Sequence, residues 1–175
     1  VINPRGVTYV LDDEVARTGK RSVRIDFGAT AAAAATWSTD EWHRIEPGRR
    51  YRFRAHVRID RPEGKGAWLL LACQGRRPNG QMRGWWRESE KVTETDGWTT
   101  LELTGTPPEG HPWASLNLKA ESRTGTIWFD DVSFSAIGDA AETAPNPSFE
   151  TARGSGARPV GWRPNAGNRI LLDPQ

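Results

Sequence analysis

Apolar and polar residues alternate along most of this chain. Between Tyr51 and Ile59 every odd position is apolar and every even position carries Arg or His. A period of two is that of a β-strand, whose successive side chains point to opposite faces of a sheet. The run therefore predicts a strand with one buried face and one basic, solvated face. Similar patterns predict further strands over residues 22–27, 99–103, 114–120 and 126–134.

Turn sequences separate these runs. Combinations of Pro, Gly and Asp occur at 47–48, 62–64, 78–80, 96–97 and 107–110. The one helix-like composition, Ala31 to Ala35, is short and uncapped, so we interpret it as a tightly packed strand or loop. Eight or more short strands at this spacing predict an all-β protein, an antiparallel β-sandwich jelly roll.

The composition limits the functions open to the chain. Nine Trp and five Phe among 175 residues provide large apolar side chains for a core, although the mean hydropathy is only -0.68. No segment approaches the about 20 consecutive apolar residues that a membrane-spanning helix needs. The net charge of +2, from 24 Lys and Arg against 22 Asp and Glu, is too small for a general nucleic-acid binder. We therefore expect neither a membrane span nor a nucleic-acid partner.

Candidates for catalysis are few. The three His residues are scattered without metal-ligand spacing, and the chain has neither a nucleophile elbow nor a phosphate-binding loop. Acidic neighbours such as Asp130 and Asp131 should point to opposite faces of a strand and could not flank one bond. The single Cys, Cys73, lies in an apolar run and is interpreted as a buried core thiol. We expect a protein that is not an enzyme.

The composition changes after Phe134, and this change suggests a domain limit. We predict a β-sandwich over residues 1–137, a linker of small and polar residues over 138–145, and a tail over 146–175. The tail echoes the N-terminus, because Gly6, Leu11 and Asp12 recur 161 positions later. Such an echo indicates a repeat of about one sandwich in length.

Three segments carry a resemblance to a known family. They are Gly19-Lys20-Arg21-Ser22-Val23-Arg24-Ile25, Glu46-Pro47-Gly48-Arg49-Arg50-Tyr51-Arg52-Phe53, and Gly125-Thr126-Ile127-Trp128-Phe129-Asp130-Asp131-Val132-Ser133-Phe134. Together they resemble the carbohydrate-binding modules of families 4, 9 and 22, which are galactose-binding-domain-like jelly rolls. The resemblance implies a non-catalytic module that binds polysaccharide and lies outside the cell or on its surface.

One segment of the resemblance is out of order. Asn146-Pro147-Ser148-Phe149-Glu150 resembles the opening strand of these modules, yet it follows the closing strand. The chain is then a window from a tandem array, a permuted domain, or a subunit whose tail completes a neighbour. We predict that the tail docks on a sandwich other than its own through Asn146, Phe149 and Ile170. An alternative function follows, that of a structural repeat or filament subunit that assembles by strand complementation.

The resemblance also implies a structural calcium ion. In the family the ligands are commonly the opening-strand Glu, a carbonyl near the Gly-Lys/Arg-Ser turn and the Asp of the closing strand. They map here onto Glu150, the carbonyl of Lys20 or Arg21, and Asp130, with Asp131 as the substitute. The simpler interpretation is that Asp130 accepts hydrogen bonds from turn amides and no metal binds.

Sugar-binding residues are implied by the same resemblance. Trp37 resembles the ligand-stacking Trp of the xylan-binding type, and Glu121 fits a ligand-contacting Glu of that type, whereas Lys119 stands where the type has a Tyr. Lys119, with Arg54 and His56 beside it, would suit an acidic glycan.

The pair Trp85-Trp86 is a further candidate. Consecutive residues of a strand face opposite sides, so at least one of these two rings should be exposed, where it could contact sugar or protein. The alternative for the basic row 52–58 is a solvated face paired with Glu88, Glu90 and Glu121.

Overall fold

Every regular element of the described chain is a β-strand. The structure is a computed structural model, and it describes residues 2–3, 6–138, 144, 146–153 and 158–165. The strands are β1 (Ile2–Asn3), β2 (Val7–Asp12), β3 (Ser22–Thr39), β4 (His43–Arg44), β5 (Tyr51–Asp60), β6 (Gly64–Arg76), β7 (Met82–Glu88), β8 (Thr99–Gly105), β9 (Trp113–Ala136), β10 (Ala152–Arg153), β11 (Arg158–Pro159) and β12 (Trp162–Pro164). No helix in the described part is long and apolar enough to cross a membrane.

The strands form two antiparallel layers that share two long strands. The first sheet has the order β2, the first half of β3, the second half of β9, β5 and β8. The second sheet has the order β12, the second half of β3, the first half of β9, β6 and β7. This arrangement confirms the predicted β-sandwich jelly roll. The alanine run after Gly28 belongs to strand β3, so its strand interpretation is correct.

Both shared strands change layer at the same corner. The β3–β9 register shifts between Gly28 and Ala33, opposite residues 122–124 of β9. Gly125 follows with a φ of 87°, and a Cβ there would stand 2.3 Å from the carbonyl oxygen of Arg61. A residue with a side chain would be strained by its φ and would also clash with the neighbouring backbone.

The core lies between the inner faces of the two sheets. The alternation in β5 is realised, because its odd residues from Tyr51 to Ile59 are buried and its even residues are not. Facing them across the sandwich are Leu69, Leu71, Leu116 and Leu118. Cys73 is fully buried in the same core, and burial raises the pKa of its thiol to about 12. A neutral, inaccessible thiol fits the predicted structural role.

The tail docks on the sandwich of its own chain. Phe149 and Trp162 are both 0% exposed and belong to the same core as the first 137 residues. Strand β12 pairs with the end of β3, with Trp162 opposite Thr39, and the amide of Val132 donates to the carbonyl of Pro147. The prediction that the tail enters another sandwich is therefore wrong for Asn146 and Phe149. The large apolar side chains of Phe149 and Trp162 pack into the core formed by their own chain.

The predicted domain limits change accordingly. A boundary at residue 137 would cut Phe149 and Trp162 from the core that they complete. Of the predicted linker 138–145, only Gly138 and Ala144 are described, and Ala144 packs against the core. Ile170 lies outside the described residues. We therefore treat 6–165 as one sandwich.

Candidate functional site

The side chains on the outward side of the second sheet form what we call the second-sheet face. Register pairs place Trp113 opposite Gln74, Ser115 opposite Ala72, Asn117 opposite Leu70 and Lys119 opposite Trp68 on β9 and β6. On the other side of β6, Trp86 of β7 lies opposite Ala72 and Glu88 lies opposite Leu70. Directly opposed residues of neighbouring strands share one face of a sheet. These side chains therefore lie on one side of the sheet, turned away from the core. Trp86 and Trp113 are exposed there, whereas the residues between them and Trp68 are buried, namely Leu70, Ala72, Ser115 and Asn117.

Trp86 is the most exposed large apolar side chain of this face, at 52%. Its sequence neighbour Trp85 lies opposite Cys73, on the inward side, and its ring packs against Gly105 at the edge of the core. The two adjacent indoles thus separate into one structural and one exposed ring. Trp86 lies opposite Ala72 of β6, a short residue that is itself only 1% exposed.

Trp68 holds two cations at the other end of the second-sheet face. The ammonium of Lys91 lies 4.9 Å from the centre of its ring and that of Lys119 lies 5.5 Å away. The indole N–H donates to Glu88 at 3.1 Å, which fixes the ring. Trp68 is only 5% exposed, so it offers no free face to a ligand. Its role in the site is to position ammonium groups.

The middle of the second-sheet face is polar and internally hydrogen-bonded. The Asn117 amide donates to the carbonyls of Leu70 and Ser115 and accepts from the Ser38 hydroxyl at 2.7 Å. Four residues further along β9, the Glu121 carboxylate pairs with Lys65 at 2.9 Å. Lys119 and Glu121 thus share this face, as predicted from the family-like strand. Their neighbours differ from those predicted.

Trp37 is not part of this surface. Its side chain is 1% exposed and lies in the core, edge-on to Tyr9 with 5.4 Å between ring centres. It lies opposite Leu118, an inward residue of β9, so the period of two turns its ring inward as well. The prediction that Trp37 stacks on a ligand is wrong in this structure.

Arg54 and His56 lie on the opposite layer. Strand β5 belongs to the first sheet, so its basic row faces away from Lys119 and Glu121. Arg54 pairs with Glu102 at 2.5 Å, across to β8. Burial is the largest influence on His56 and lowers the pKa of its imidazole. The predicted convergence of Arg54 and His56 with Lys119 is therefore wrong, because strand alternation determines a face but not which sheet a strand joins.

The predicted calcium ligands Asp130 and Asp131 sit at a β-bulge. The β5–β9 register shifts there, and Asp131 has a φ of 47°. The bulge lets both carboxylates reach the same loop, although regular alternation would separate them. One oxygen of Asp130 accepts from the amides of Arg17 at 2.7 Å and Thr18 at 3.3 Å, and the other accepts from the Asp131 amide at 2.7 Å.

Burial raises the pKa of Asp130 to about 6, against the opposing effect of these amide hydrogen bonds. Burial acts in the same direction on Asp131, but hydrogen bonds from Thr18, Arg17 and Ser148 outweigh it and lower its pKa. The Arg17 guanidinium lies 2.6 Å from the Asp131 carboxylate. Two adjacent acids thus have opposite pKa shifts.

Glu150, the third predicted calcium ligand, also binds amides. One of its carboxylate oxygens accepts from the backbone N–H groups of Lys20 at 2.8 Å and Arg21 at 2.9 Å. It is the amides of Lys20 and Arg21, not their carbonyls, that face this carboxylate. The contact joins the tail to the turn at Gly19 by direct hydrogen bonds.

These donors do not fit a calcium ion. Calcium needs six to eight oxygen ligands, whereas N–H groups and a guanidinium occupy the oxygens of these three carboxylates. Among the described residues, no group of three or more His, Cys, Asp or Glu is placed to hold a metal. The contacts match the simpler interpretation, in which Asp130 accepts from turn amides. The calcium ion that the family resemblance implies is untested, and these contacts argue against it.

Three residues of the second-sheet face were missed by sequence reasoning. Trp68 lies in a continuously apolar run, where alternation gives no indication of an outward face. Lys91 lies in a loop next to an isolated bridge between Ala67 and Val92, and no periodicity places it. Trp113 starts β9, one residue before the alternating run 114–120. Extending that alternation by one residue would have turned Trp113 outward.

Comparison with known proteins supports the fold. No family model and no curated protein matches the chain. A structure described as "Family 16 Carbohydrate Binding Module-2" has a TM-score of 0.53 and 16% identity, over 75% of this chain and 86% of that one. The CBM22-1-GH10 modules of Clostridium thermocellum xylanase 10B, complexed with xylohexaose, give a TM-score of 0.54 and 15% identity, over 82% and 28% respectively.

A third structure is the enzymatically active domain of tailspike protein 4 from bacteriophage CBA120. It has a TM-score of 0.53 and 18% identity, over 75% of this chain and 18% of that one. The present chain therefore corresponds to only a part of this protein and of the xylanase. At such identities the likeness concerns the fold, and it confirms the predicted resemblance to the jelly rolls of carbohydrate-binding modules.

Proposed function

We propose that the second-sheet face binds a polysaccharide, and that the chain acts outside the cell as a non-catalytic carbohydrate-binding module of a larger protein. The observation that carries the proposal is the 52% exposed indole of Trp86, on the same sheet face as the ammonium groups around Trp68. The structural neighbours named as carbohydrate-binding modules support it, one of them in complex with xylohexaose.

The exposed indole suits a sugar ring. A flat aromatic surface held in water is unfavourable, and covering it with the apolar C–H face of a pyranose removes that surface from solvent. On β6, the strand next to that of Trp86, Gln74 is only partly buried, and its amide group suits sugar hydroxyls. An aromatic platform with polar groups next to it is the usual chemistry of a sugar site.

The ammonium groups favour an acidic polysaccharide. Lys91 and Lys119 both lie within 5.5 Å of one ring centre. The described ion pairs give neither of them a carboxylate partner within 4.0 Å, whereas Lys65 has Glu121. An anion that approaches these ammonium groups gains charge-assisted contacts with them. A uronic acid carboxylate, carried on the chain that covers Trp86, has the required charge and size.

Affinity electrophoresis tests both parts of the proposal. The wild-type protein should be retarded in gels that contain polygalacturonate, less in gels with neutral xylan, and not in dextran gels. Trp86→Ala should weaken binding to both retarding polymers by about tenfold, as expected for the loss of one central aromatic contact. Lys119→Met should remove the preference for polygalacturonate and leave binding to xylan.

Two variants serve as controls. Ile137→Ala removes a 40% exposed apolar side chain outside this face, and Arg58→Ala removes a cation of the opposite sheet that lies over Trp128. Neither should change retardation. If Trp86→Ala binds as the wild type does, the second-sheet face is not the site. If Arg58→Ala alone abolishes binding to polygalacturonate, the acidic ligand binds the first sheet instead.

A further inference from the structure

A cavity of about 420 Å³ opens at the end of the second sheet opposite to Trp68. Its walls include the side chains of Trp42, Gln74, Met82 and Trp113. Trp113 is 40% exposed and Met82 is 38% exposed, so two of the few exposed large apolar side chains of the described chain meet at one place. Nothing in the core requires them there, because both lie outside the main hydrophobic cluster.

The cavity is continuous with the second-sheet face. Trp113 lies opposite Gln74 of β6, and two residues earlier on the same strand Ala72 lies opposite Trp86. The two exposed indoles therefore flank β6 from its two neighbouring strands, about 10 Å apart across the sheet. Trp68 lies on β6 itself, six residues and about 20 Å from Gln74, and Lys119 lies opposite it on β9.

The chemistry of the cavity is that of a sugar subsite. Trp42 and Trp113 supply aromatic surface, and the Gln74 amide supplies both a donor and an acceptor for neighbouring hydroxyls. The guanidinium of Arg44 lies 5.9 Å from the centre of the Trp113 ring, which restrains that ring while leaving it 40% exposed. Arg76 at the rim is held by a hydrogen bond to the Gly80 carbonyl. The guanidinium of Arg76 is thus positioned before a ligand arrives.

We propose that this cavity is a second carbohydrate subsite, and that the bound polysaccharide runs along β6 from the cavity, past Trp86, to the ammonium groups at Trp68. The inference rests on the proposed function and adds to it the direction of the chain and its minimal length. A ligand must span about 20 Å to use both ends. Short oligosaccharides engage one end only, and affinity rises steeply once the chain reaches the other.

Isothermal titration with the trimer and the hexamer of galacturonic acid tests this geometry. The wild-type protein should bind the hexamer at least tenfold more tightly than the trimer. Trp113→Ala should weaken the affinity for the hexamer about tenfold, equivalent to about 1.4 kcal/mol. It should leave the affinity for the trimer unchanged, because the trimer binds at Lys91, Lys119 and Trp86. The difference in affinity between the two oligomers should therefore largely disappear. Gln74→Leu, which keeps both indoles, should give a smaller loss in the same direction.

The outcomes separate this inference from the proposed function. A cooperative thermal unfolding transition establishes that each variant is folded. If Trp113→Ala does not fold, the affinities of Gln74→Leu for the two oligomers test the subsite instead. If both variants keep the wild-type ratio while Trp86→Ala weakens both ligands, the cavity is not a subsite and the proposed function stands. If the wild type binds neither oligomer nor their polymer, both proposals fail. Loss of binding to the trimer and hexamer alike in Trp113→Ala would show one compact site and overturn the extended path.

Discussion

The rings of Phe149 and Trp162 meet in the core with 5.5 Å between their centres and an angle of 61° between their planes. Both side chains are 0% exposed, although one follows the closing strand of the sandwich and the other forms part of the short strand β12. Aromatic pairs in this edge-on range are favourable beyond the apolar area that they bury. The contact thus ties both parts of the tail to the sandwich of its own chain.

Truncating either ring should strongly destabilise the protein. We expect Phe149→Ala and Trp162→Ala each to lower the free energy of unfolding by about 3–5 kcal/mol, because a large buried side chain leaves a cavity that the core fills only partly. Urea denaturation measures the change. Ile137→Ala, at an exposed position, should alter it by less than about 0.5 kcal/mol. Losses below 1 kcal/mol in both tail variants would contradict the observed docking.

Trp37 should affect stability and not ligand binding. Trp37→Ala should cost about 3–5 kcal/mol in unfolding free energy, as for other large core residues. Trp37→Phe should cost clearly less, because the indole nitrogen is buried without a hydrogen-bond partner among the described contacts, and Phe removes that unpaired donor. Retardation by polygalacturonate should remain that of the wild type in the Phe variant. If Trp37→Phe lost binding to polygalacturonate without losing stability, Trp37 would after all stack on the ligand.

Calcium should not influence the stability of the sandwich. The carboxylates of Asp130, Asp131 and Glu150 accept from amides and from Arg17, which oppose a cation at the same place. The midpoint of thermal unfolding should therefore be the same in millimolar calcium and in excess chelator. A rise of several degrees with calcium that is abolished in Glu150→Gln would instead establish the site that the family resemblance implies.

Asp130 should make stability fall as the pH rises from about 4 to 6. Its pKa is about 6 in the folded protein against an ordinary 3.8, so in this interval the folded state holds a proton that the unfolded chain has released. Its stabilising contribution is complete below about pH 4, decreases up to pH 6 and is constant above.

Comparison with Asp130→Asn isolates this effect, because the variant retains every other titrating group. The unfolding free energy of the wild type relative to the variant should decrease between pH 4 and 6, by on the order of 2–3 kcal/mol. Urea titrations at several pH values measure the difference. A difference that increases with pH would show that the three amides at this carboxylate dominate over its burial.

The docking of the tail shows what the sequence could predict and what it could not. The motif at 146–150 identified Phe149 as a core residue, which agrees with the structure, and proposed Glu150 as a calcium ligand, whereas the structure shows it accepting from the Lys20 and Arg21 amides. The choice between its own sandwich and another was wrong. An apolar motif specifies that a side chain needs a core, but the position of the vacant site depends on where the rest of the chain has folded.

The binding surface shows the same division. Alternation in β5 and in the first half of β9 correctly gave the outward parity of Arg54 and Lys119, since side-chain parity is a local property of an extended backbone. Alternation could not show that Arg54 and Lys119 belong to opposite layers. Strand β9 changes layer near Gly125, so it pairs with β6 before this glycine and with β5 after it.

The sequence by itself determined the all-β architecture, the inward and outward sides of its alternating strands and the burial of Cys73, because these depend on periodicity and on the transfer of apolar side chains from water. Only the tertiary structure decided that Trp37 belongs to the core and Trp86 to the surface, that Lys91 and Lys119 both lie against the ring of Trp68, and that the tail closes its own sandwich. These are contacts between residues distant along the chain. They follow from strand order, register and the bends of β3 and β9, which no local pattern encodes.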